Sequence, residues 1–357
     1  MSGNALAGGR LTIGSHVISI RCWTRWLLLA LLGAASLYFV APGAYDESAT
    51  PPEAIIHLEP PADYVPPKAK GKVRLGIVLK TRRPIAIHDW LRHHQRLGVE
   101  RVYMRIEDTP GLAADLRQSE FAHLVNVSEA PPPKPNEGKY KNLIQGTNNN
   151  EQNAHADLAI AEAKREGLTH LAHIDDDELL YFPSGKEAFY AELSQYDENS
   201  GISNLRMANL EAVYDYSNCI SPFNTTTHFR FALCDFTAYH WGKSIGNLGD
   251  PFLEQNGVHK FKGESVDLKN HTAVVLHYEG ACVQRWKLKF NQGPEKSKES
   301  IRKCNEDWQG GFVYYCESME AFVLHPESDN AEVWRKYKLR ENNRPEALVV
   351  IDPKKIW

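Results

Sequence analysis

From Val73 onward, apolar runs and helical spacings follow one another in a regular order. Val73-Arg-Leu-Gly-Ile-Val-Leu79 is a short apolar run and predicts a buried strand. Ile85 to Leu97 carries Ile87, Trp90, Leu91, His94 and Leu97 at helical spacing, and Gly98 stands where a helix C′ glycine belongs. Arg101–Ile106 predicts a second strand, Leu112–Ser119 a short helix and Leu124–Val127 a third strand. A Pro-rich loop at Pro131–Pro135 leads to a helix over Glu151–Glu166, read with Ala154, Leu158, Ala161 and Ala163 as its apolar positions and ended by Gly167. Leu168–Ile174 is a fourth strand. Strands alternating with helices over short connections predict an α/β fold with a doubly wound, mostly parallel sheet. After residue 200 the pattern becomes more strand-like, so a β-rich second half is expected.

The first seventy residues read differently. Trp26–Ala41 is sixteen residues without a charge, preceded by Arg10, Arg21 and Arg25 and followed by Asp46, Glu47, Glu53, Glu59 and Asp63. The run is short against the usual span of about 20 residues, but thin early secretory membranes accept shorter ones. The charge bias puts the N-terminus in the cytosol and the rest across the membrane. A cleaved signal peptide ending near Ala41–Ala44 is the alternative, and it too places the bulk outside the cytosol. Residues 42–71 hold seven prolines and read as a semi-rigid stem. The expected layout is a tail over 1–25, an anchor over 26–41, a stem over 42–71, a globular domain over 72–325 and a C-terminal extension over 326–357.

Composition narrows the function classes. Among 357 residues, 41 Lys+Arg face 45 Asp+Glu, a net charge of −4, so there is no global attraction to nucleic acid. A mean hydropathy of −0.45 excludes a polytopic membrane protein. Sequons begin at Asn126, Asn224 and Asn270. Five of six cysteines follow the apolar run, in no zinc-binding spacing, and Cys219–Cys234 and Cys304–Cys316 are the expected pairs in an oxidising lumen because each closes a short loop.

The candidate chemistry lies where the fourth strand ends. Asp175-Asp-Asp-Glu178 follows the apolar strand directly, at the place where open α/β sheets bind ligands. On an extended segment Asp175 and Asp177 point one way, about 7 Å apart, and can share a hard divalent cation, Mn²⁺ or Mg²⁺, which in turn neutralises a diphosphate. A solvated acidic turn is the alternative, but Leu179-Leu-Tyr-Phe182 follows at once and argues for burial.

The segment Asp175–Pro183 resembles the DxD segment of GT-A glycosyltransferases, and more closely that of family 92 and related family-2-like enzymes. His88–Tyr103, Gln152, Trp241-Gly-Lys-Ser-Ile245, Gly257-Val-His259, Leu276-His-Tyr278 and Trp286-Lys-Leu-Lys289 match further pieces of that pattern, whereas the family's Asn-Glu after the first strand is Arg82-Arg83 here. The resemblance covers roughly residues 73–292. It implies a GT-A-like fold and an inverting, metal-dependent transfer of a sugar, with galactose one candidate, from a UDP-sugar to a glycan or glycoprotein acceptor. With the N-terminal span, it implies a single-pass type II Golgi membrane protein with a lumenal catalytic domain.

The resemblance also assigns roles. Asp175 faces the ribose or metal, Asp177 and His277 ligate Mn²⁺, Asp108 contacts the nucleoside, Lys287 or Lys289 holds the diphosphate, and His259 contacts substrate. A carboxylate past the DxD must take the acceptor proton. Asp250, in the Gly-rich Gly246–Asp250 loop, and Glu211 are the candidates. His93, His94 and His173 read as structural. A metal-dependent phosphoesterase and a catalytically inactive lumenal glycan-binding protein are the rival functions.

Overall fold

The computed structural model describes residues 10–13, 16–19, 58–84, 86–129, 148–213, 222–231, 242–278 and 348–356. The chain forms two compact units, Met1–Pro52 and Glu53–Trp357. In the first, β1 (Arg10–Ile13) and β2 (His16–Ser19) make an antiparallel hairpin. The apolar run over 26–41 lies outside the described residues, as do all six cysteines. Among the described residues no helix is long and apolar enough to cross a membrane.

The second unit is built on one sheet. In chain order its elements are β3 (Leu75–Arg82), α1 (Ile87–Arg96), β4 (Arg101–Glu107), α2 (Leu112–Gln118), β5 (Val125–Ser128), α3 (Asn148–Arg165), β6 (His170–His173), β7 (Glu178–Tyr181) and α4 (Lys186–Leu193). Then follow β8 (Asn204–Val213), a short helical turn Pro222–Thr225, β9 (His228–Phe231), β10 (Lys243–Asn247), β11 (Ser265–Asp267), β12 (Val274–His277) and β13 (Leu348–Val350). The strand order is β13-β9-β8-β10-β6-β3-β4-β5, with β11 and β12 branching from β8 and β7 joined through β12. The strands β5, β4, β3 and β6 are mutually parallel, in the order third, second, first, fourth. Beyond β6 the sheet turns mixed: β10 is antiparallel to both β6 and β8, and β12 is parallel to β8 but antiparallel to β7. The expected α/β class, a doubly wound parallel half joined to a β-rich half, is what the chain adopts.

Two helices fix the parallel half. On α3 the buried face is Ala156, Ala159, Ile160 and Ala163, packed on Val78, Tyr103 and Leu171. Leu158, read from the sequence as inward, is 57% exposed. Small alanines at i, i+3 and i+7, with Ile160 at i+4, let the helix settle close to the sheet, and that favours this face over the one carrying the single leucine. On α1 the buried residues are Ile87, Trp90, Leu91, His93 and His94. The helix closes on Gly98 at φ +91°, where Val99 N donates to His94 O at 3.0 Å, a six-to-one bond that ends the helix.

The side chains of α1 take the place of a neighbouring strand along β7. Trp90 Nε1 donates to Glu178 O at 2.7 Å, Leu180 N donates to His94 Nε2 at 3.3 Å, and His93 Nε2 lies 2.7 Å from Leu180 O. Three residues on one helical face thus satisfy backbone groups of alternate strand residues, whose burial unpaired would cost about 1–3 kcal/mol each. The strand that follows the acidic run is thereby held from both sides.

Part of the segment expected as a free stem is docked on the domain. Leu58 joins the main core, Lys70 N donates to Ser194 Oγ at 2.9 Å, and Gln195 Nε2 donates to Lys68 O at 2.9 Å. The C-terminal extension adds β13 to β9, and His93 Nδ1 lies 2.9 Å from Ile356 O.

Candidate active site

The strands β3, β4 and β6 end side by side, and the strand order reverses between β3 and β6. The crevice beyond their carboxyl ends is where open α/β sheets place ligands. Asp175–Asp177 sits at this point as the turn joining β6 to β7, with Glu178 N donating to Asp175 O at 3.2 Å. Because the segment turns rather than running extended, its carboxylates diverge instead of alternating. Asp175 takes the Lys243 ammonium at 2.6 Å and Gln152 Nε2 at 3.2 Å. Asp176 accepts the hydroxyl of Thr81, at the end of β3. Asp177 Oδ1 lies 3.9 Å from His277 Nε2, and its main-chain oxygen accepts Tyr278 N at 2.8 Å. The expectation that Asp175 and Asp177 face one cation together is therefore corrected: only Asp177 is directed to the His277 side.

His277 is placed by strand register. It stands opposite Glu178 on β7 and opposite Glu211 on β8. Its Nδ1 lies 2.7 Å and 2.9 Å from the two Glu211 oxygens, and Asn209 Nδ2 donates to Glu211 Oε1 at 2.7 Å. A carboxylate on one imidazole nitrogen fixes the ring and leaves the other nitrogen to a metal. Burial works against charge on His277, but the Glu211 carboxylate outweighs it and moves the imidazole up to about 8.

Lys243, the first residue of β10, is fully buried. Its Nζ lies 2.6 Å from Asp175 Oδ2 and 3.4 Å from Glu178 Oε2, and donates to Val258 O at 3.3 Å. Gly242 precedes it at φ +64°, and a Cβ there would sit 1.9 Å from Met207 O, so only glycine lets β10 begin so close to β8. Burial opposes charge on Asp175, yet the Lys243 ammonium holds the carboxyl well below the usual range. Burial also opposes charge on Lys243, yet Asp175 and Glu178 hold it above the ordinary lysine value. For Glu178, burial and the nearby Asp175 charge prevail over Lys243 and push the carboxyl up to about 7. Five carboxyl groups, Asp175, Asp176, Asp177, Glu178 and Glu211, thus gather at this end of the sheet, with Lys243 and His277 in contact with them. Among the described residues, no group of three or more His, Cys, Asp or Glu is arranged to hold a metal ion by itself.

The remaining expected residues divide between the two ends of the sheet. Asp108 follows β4 at the carboxyl end, at φ +45°, with its Oδ2 3.7 Å from Arg82 Nη1. Arg83, after β3, is the other non-glycine residue with positive φ among the described residues, at +53°. Beside them Lys80 pairs with Glu151 and, at 2.8 Å, with Glu107, which Arg105 also meets at 2.9 Å. His259 lies over the start of β10, its Nδ1 3.1 Å from Gly242 O, and burial lowers the imidazole to about 4. His173 is buried, in line with its structural reading. Lys287 and Lys289 lie outside the described residues.

The two candidate bases are corrected. Asp250 follows the far end of β10. The register pairs Ser244 with His173 and Asn247 with His170, so Asp250 lies at the amino end of β6, a strand's length of about 10 Å or more from the acidic turn. There its Oδ1 accepts Phe252 N at 2.8 Å and its main-chain oxygen accepts Lys164 Nζ at 2.6 Å. Glu211 is at the correct end, but both oxygens are engaged by His277 and the group is buried. It is in contact with the His277 imidazole and with Asn209. Lys243, Thr81 and Glu178 are the site residues to which sequence reasoning gave no role. The Gly-Lys pair at 242–243, a backbone-tight glycine before a buried lysine, was the available signal.

No family model matches the chain, and no curated protein matches it. Solved structures similar to it include mannose-1-phosphate geranyltransferase from Thermus thermophilus, at 9% identity over 80% of this chain and 77% of that one with a TM-score of 0.24. HddC from Yersinia pseudotuberculosis is similar at 9% identity over 59% of this chain and 96% of that one, with a TM-score of 0.28. Overlaps this loose carry nothing over to the site.

Proposed function

We propose that the chain is a metal-dependent glycosyltransferase that takes a sugar from a nucleotide diphosphate sugar, a UDP-sugar by the resemblance, and passes it to a hydroxyl of a glycan acceptor. The observation that carries this reading is the Asp177–His277–Glu211 arrangement at the switch point of the parallel sheet. In this reading Asp177 and His277 Nε2, 3.9 Å apart, would hold a hard divalent cation only together with the donor's phosphate oxygens and water, which would complete the shell. Mn²⁺ or Mg²⁺ bound there would supply the positive charge that stabilises the departing diphosphate.

The chain's own groups do the rest. Glu211 keeps the His277 ring in one orientation. Thr81 ties Asp176 to the end of β3, and α1 holds β7, so the acidic turn is preorganised before the donor arrives. The ends of β3 and β4, with Arg82 and Asp108, border the nucleoside side of the crevice. In this reading the apolar run over 26–41 anchors the protein in the Golgi membrane with the domain in the lumen; protease digestion of sealed vesicles should then spare the domain.

The test of the function is a thermal melt of the purified chain with UDP, with Mn²⁺, and with both. UDP should raise the midpoint only when Mn²⁺ is present, and Asp177→Asn should remove the effect. No UDP effect under any condition, or one independent of Mn²⁺, contradicts the proposal. A hydrolysis screen of nucleotide sugars then identifies the donor.

A further inference from the structure

Among the described residues of the site, Lys243 has a placement that the expected chemistry does not explain. It is a lysine with no exposed surface, clamped between two carboxyls of the acidic run, where a metal-binding reading would leave both for the metal. Long flexible lysines are rarely buried unless paired. Here the fold goes to some length to bury one: Gly242 lets β10 start against the Met207 carbonyl, and the Val258 carbonyl takes a further ammonium proton. The ammonium stands between Asp175 Oδ2 and Glu178 Oε2 much as a bridging cation would, and Asp175 N closes the same ring by donating to Glu178 Oε2 at 2.6 Å.

We infer that Lys243 is the built-in cation of this site: it neutralises Asp175 and Glu178, withholds them from divalent metal, and so restricts the chain to a single metal position at Asp177 and His277. The inference rests on the donor-site reading above and refines it. Lys243 acts through Asp175 and is a positioning residue. With its charge fixed in place, Asp175 keeps one orientation, with Gln152 on its other oxygen, whether or not metal is bound. The inference also accounts for the divergence of Asp175 from Asp177, since opposite partners draw them apart.

The experiment counts Mn²⁺ by electron paramagnetic resonance on the purified full chain, together with its melting midpoint without nucleotide. The wild type should bind one Mn²⁺ per chain. Lys243→Met keeps the bulk and removes the charge. Its midpoint should fall by about 5–15 °C, the scale set by breaking a buried ion pair. Mn²⁺ alone should recover much of that loss by occupying a second position at Asp175 and Glu178. The triple variant Lys243→Met/Asp175→Asn/Glu178→Gln removes the whole charged group and should fold without added metal and bind one Mn²⁺. Two Mn²⁺ in the wild type, an unchanged midpoint in Lys243→Met, or a triple variant that fails to fold or binds no Mn²⁺ would each overturn the assignment. Single-site Mn²⁺ binding without any UDP effect would instead sink the transferase reading and leave the Lys243 assignment standing.

Discussion

The two ends of the central sheet carry similar residues and put them to different uses. At the amino end, Asp250 sits in a turn with Lys164 on its carbonyl, and the neighbouring Phe252 is 84% exposed. Its contacts are those of a surface turn, worth little and tolerant of change. At the carboxyl end, Lys243, Glu178, Glu211 and His277 are buried together beside the acidic turn. Burying charge is costly unless it is paired, and here Lys243 lies between Asp175 and Glu178 while Glu211 lies on His277. The comparison teaches that neither the Asp nor the Gly-rich loop marks a site by itself. What marks it is charge kept out of water at the end of the sheet where three parallel strands stop.

The comparison breaks most readily at the metal ligands. Asp177→Asn and His277→Ala should each abolish the Mn²⁺ dependence of UDP binding, measured by calorimetry, while leaving the far-ultraviolet circular dichroism unchanged. Next in size is Glu211→Gln, which loosens the imidazole without removing a ligand. It should weaken Mn²⁺ binding about 10–100-fold, the usual effect of losing a carboxylate behind a metal-bound histidine. If Glu211 were instead the base, Mn²⁺ affinity would be untouched and only transfer would fall.

A pH titration reaches both ends at once. His155, on α3, and His170, at the start of β6, are each lowered by burial to about 4 against an ordinary 6.5. Neutral in the folded chain, they contribute stability that is complete above pH 6.5 and is lost as pH falls from 6.5 toward 4, because the unfolded chain takes up protons the native one refuses. Each adds a slope of about 1.4 kcal/mol per pH unit in that window. Urea unfolding at pH 7 and at pH 5 should show the decline, and equal stability at both values would contradict the burial of these rings.

The smallest expected effect is at Asp250. Asp250→Ala removes one turn hydrogen bond and should cost about 1 kcal/mol or less by urea unfolding, with UDP affinity unchanged. A large loss of UDP binding in this variant would put the amino end into the site after all.

Much of the parallel half could be read from the chain because its signals are local. Apolar runs such as Leu75–Leu79 and Val102–Ile106 bury nearly every side chain, and Gly98 and Gly167 mark helix ends within a residue or two of where they fall. The face of α3 was misread because alanines occur all around that helix, and a lone Leu158 outweighed them. The acidic turn was visible since strand and charge adjoin in sequence. The partners of that turn were not. Lys243 lies 68 residues from Asp175 and Glu211 lies 66 from His277, and only strand register brings each pair together. The same register sends Asp250 to the wrong end of the sheet, a consequence that loop composition cannot convey, since glycines report local freedom and not direction.

The central claim is that a cation position lies between Asp177 and His277, with Asp175 held aside by Lys243. Its most direct test is anomalous diffraction at the manganese absorption edge, from crystals grown with Mn²⁺ and UDP. The account predicts one peak, bonded to an Asp177 oxygen, His277 Nε2 and the diphosphate, with the Lys243 ammonium still on Asp175. A peak bound by Asp175 and Glu178 with Lys243 displaced, or no peak at Asp177 and His277 while UDP is bound, would contradict it.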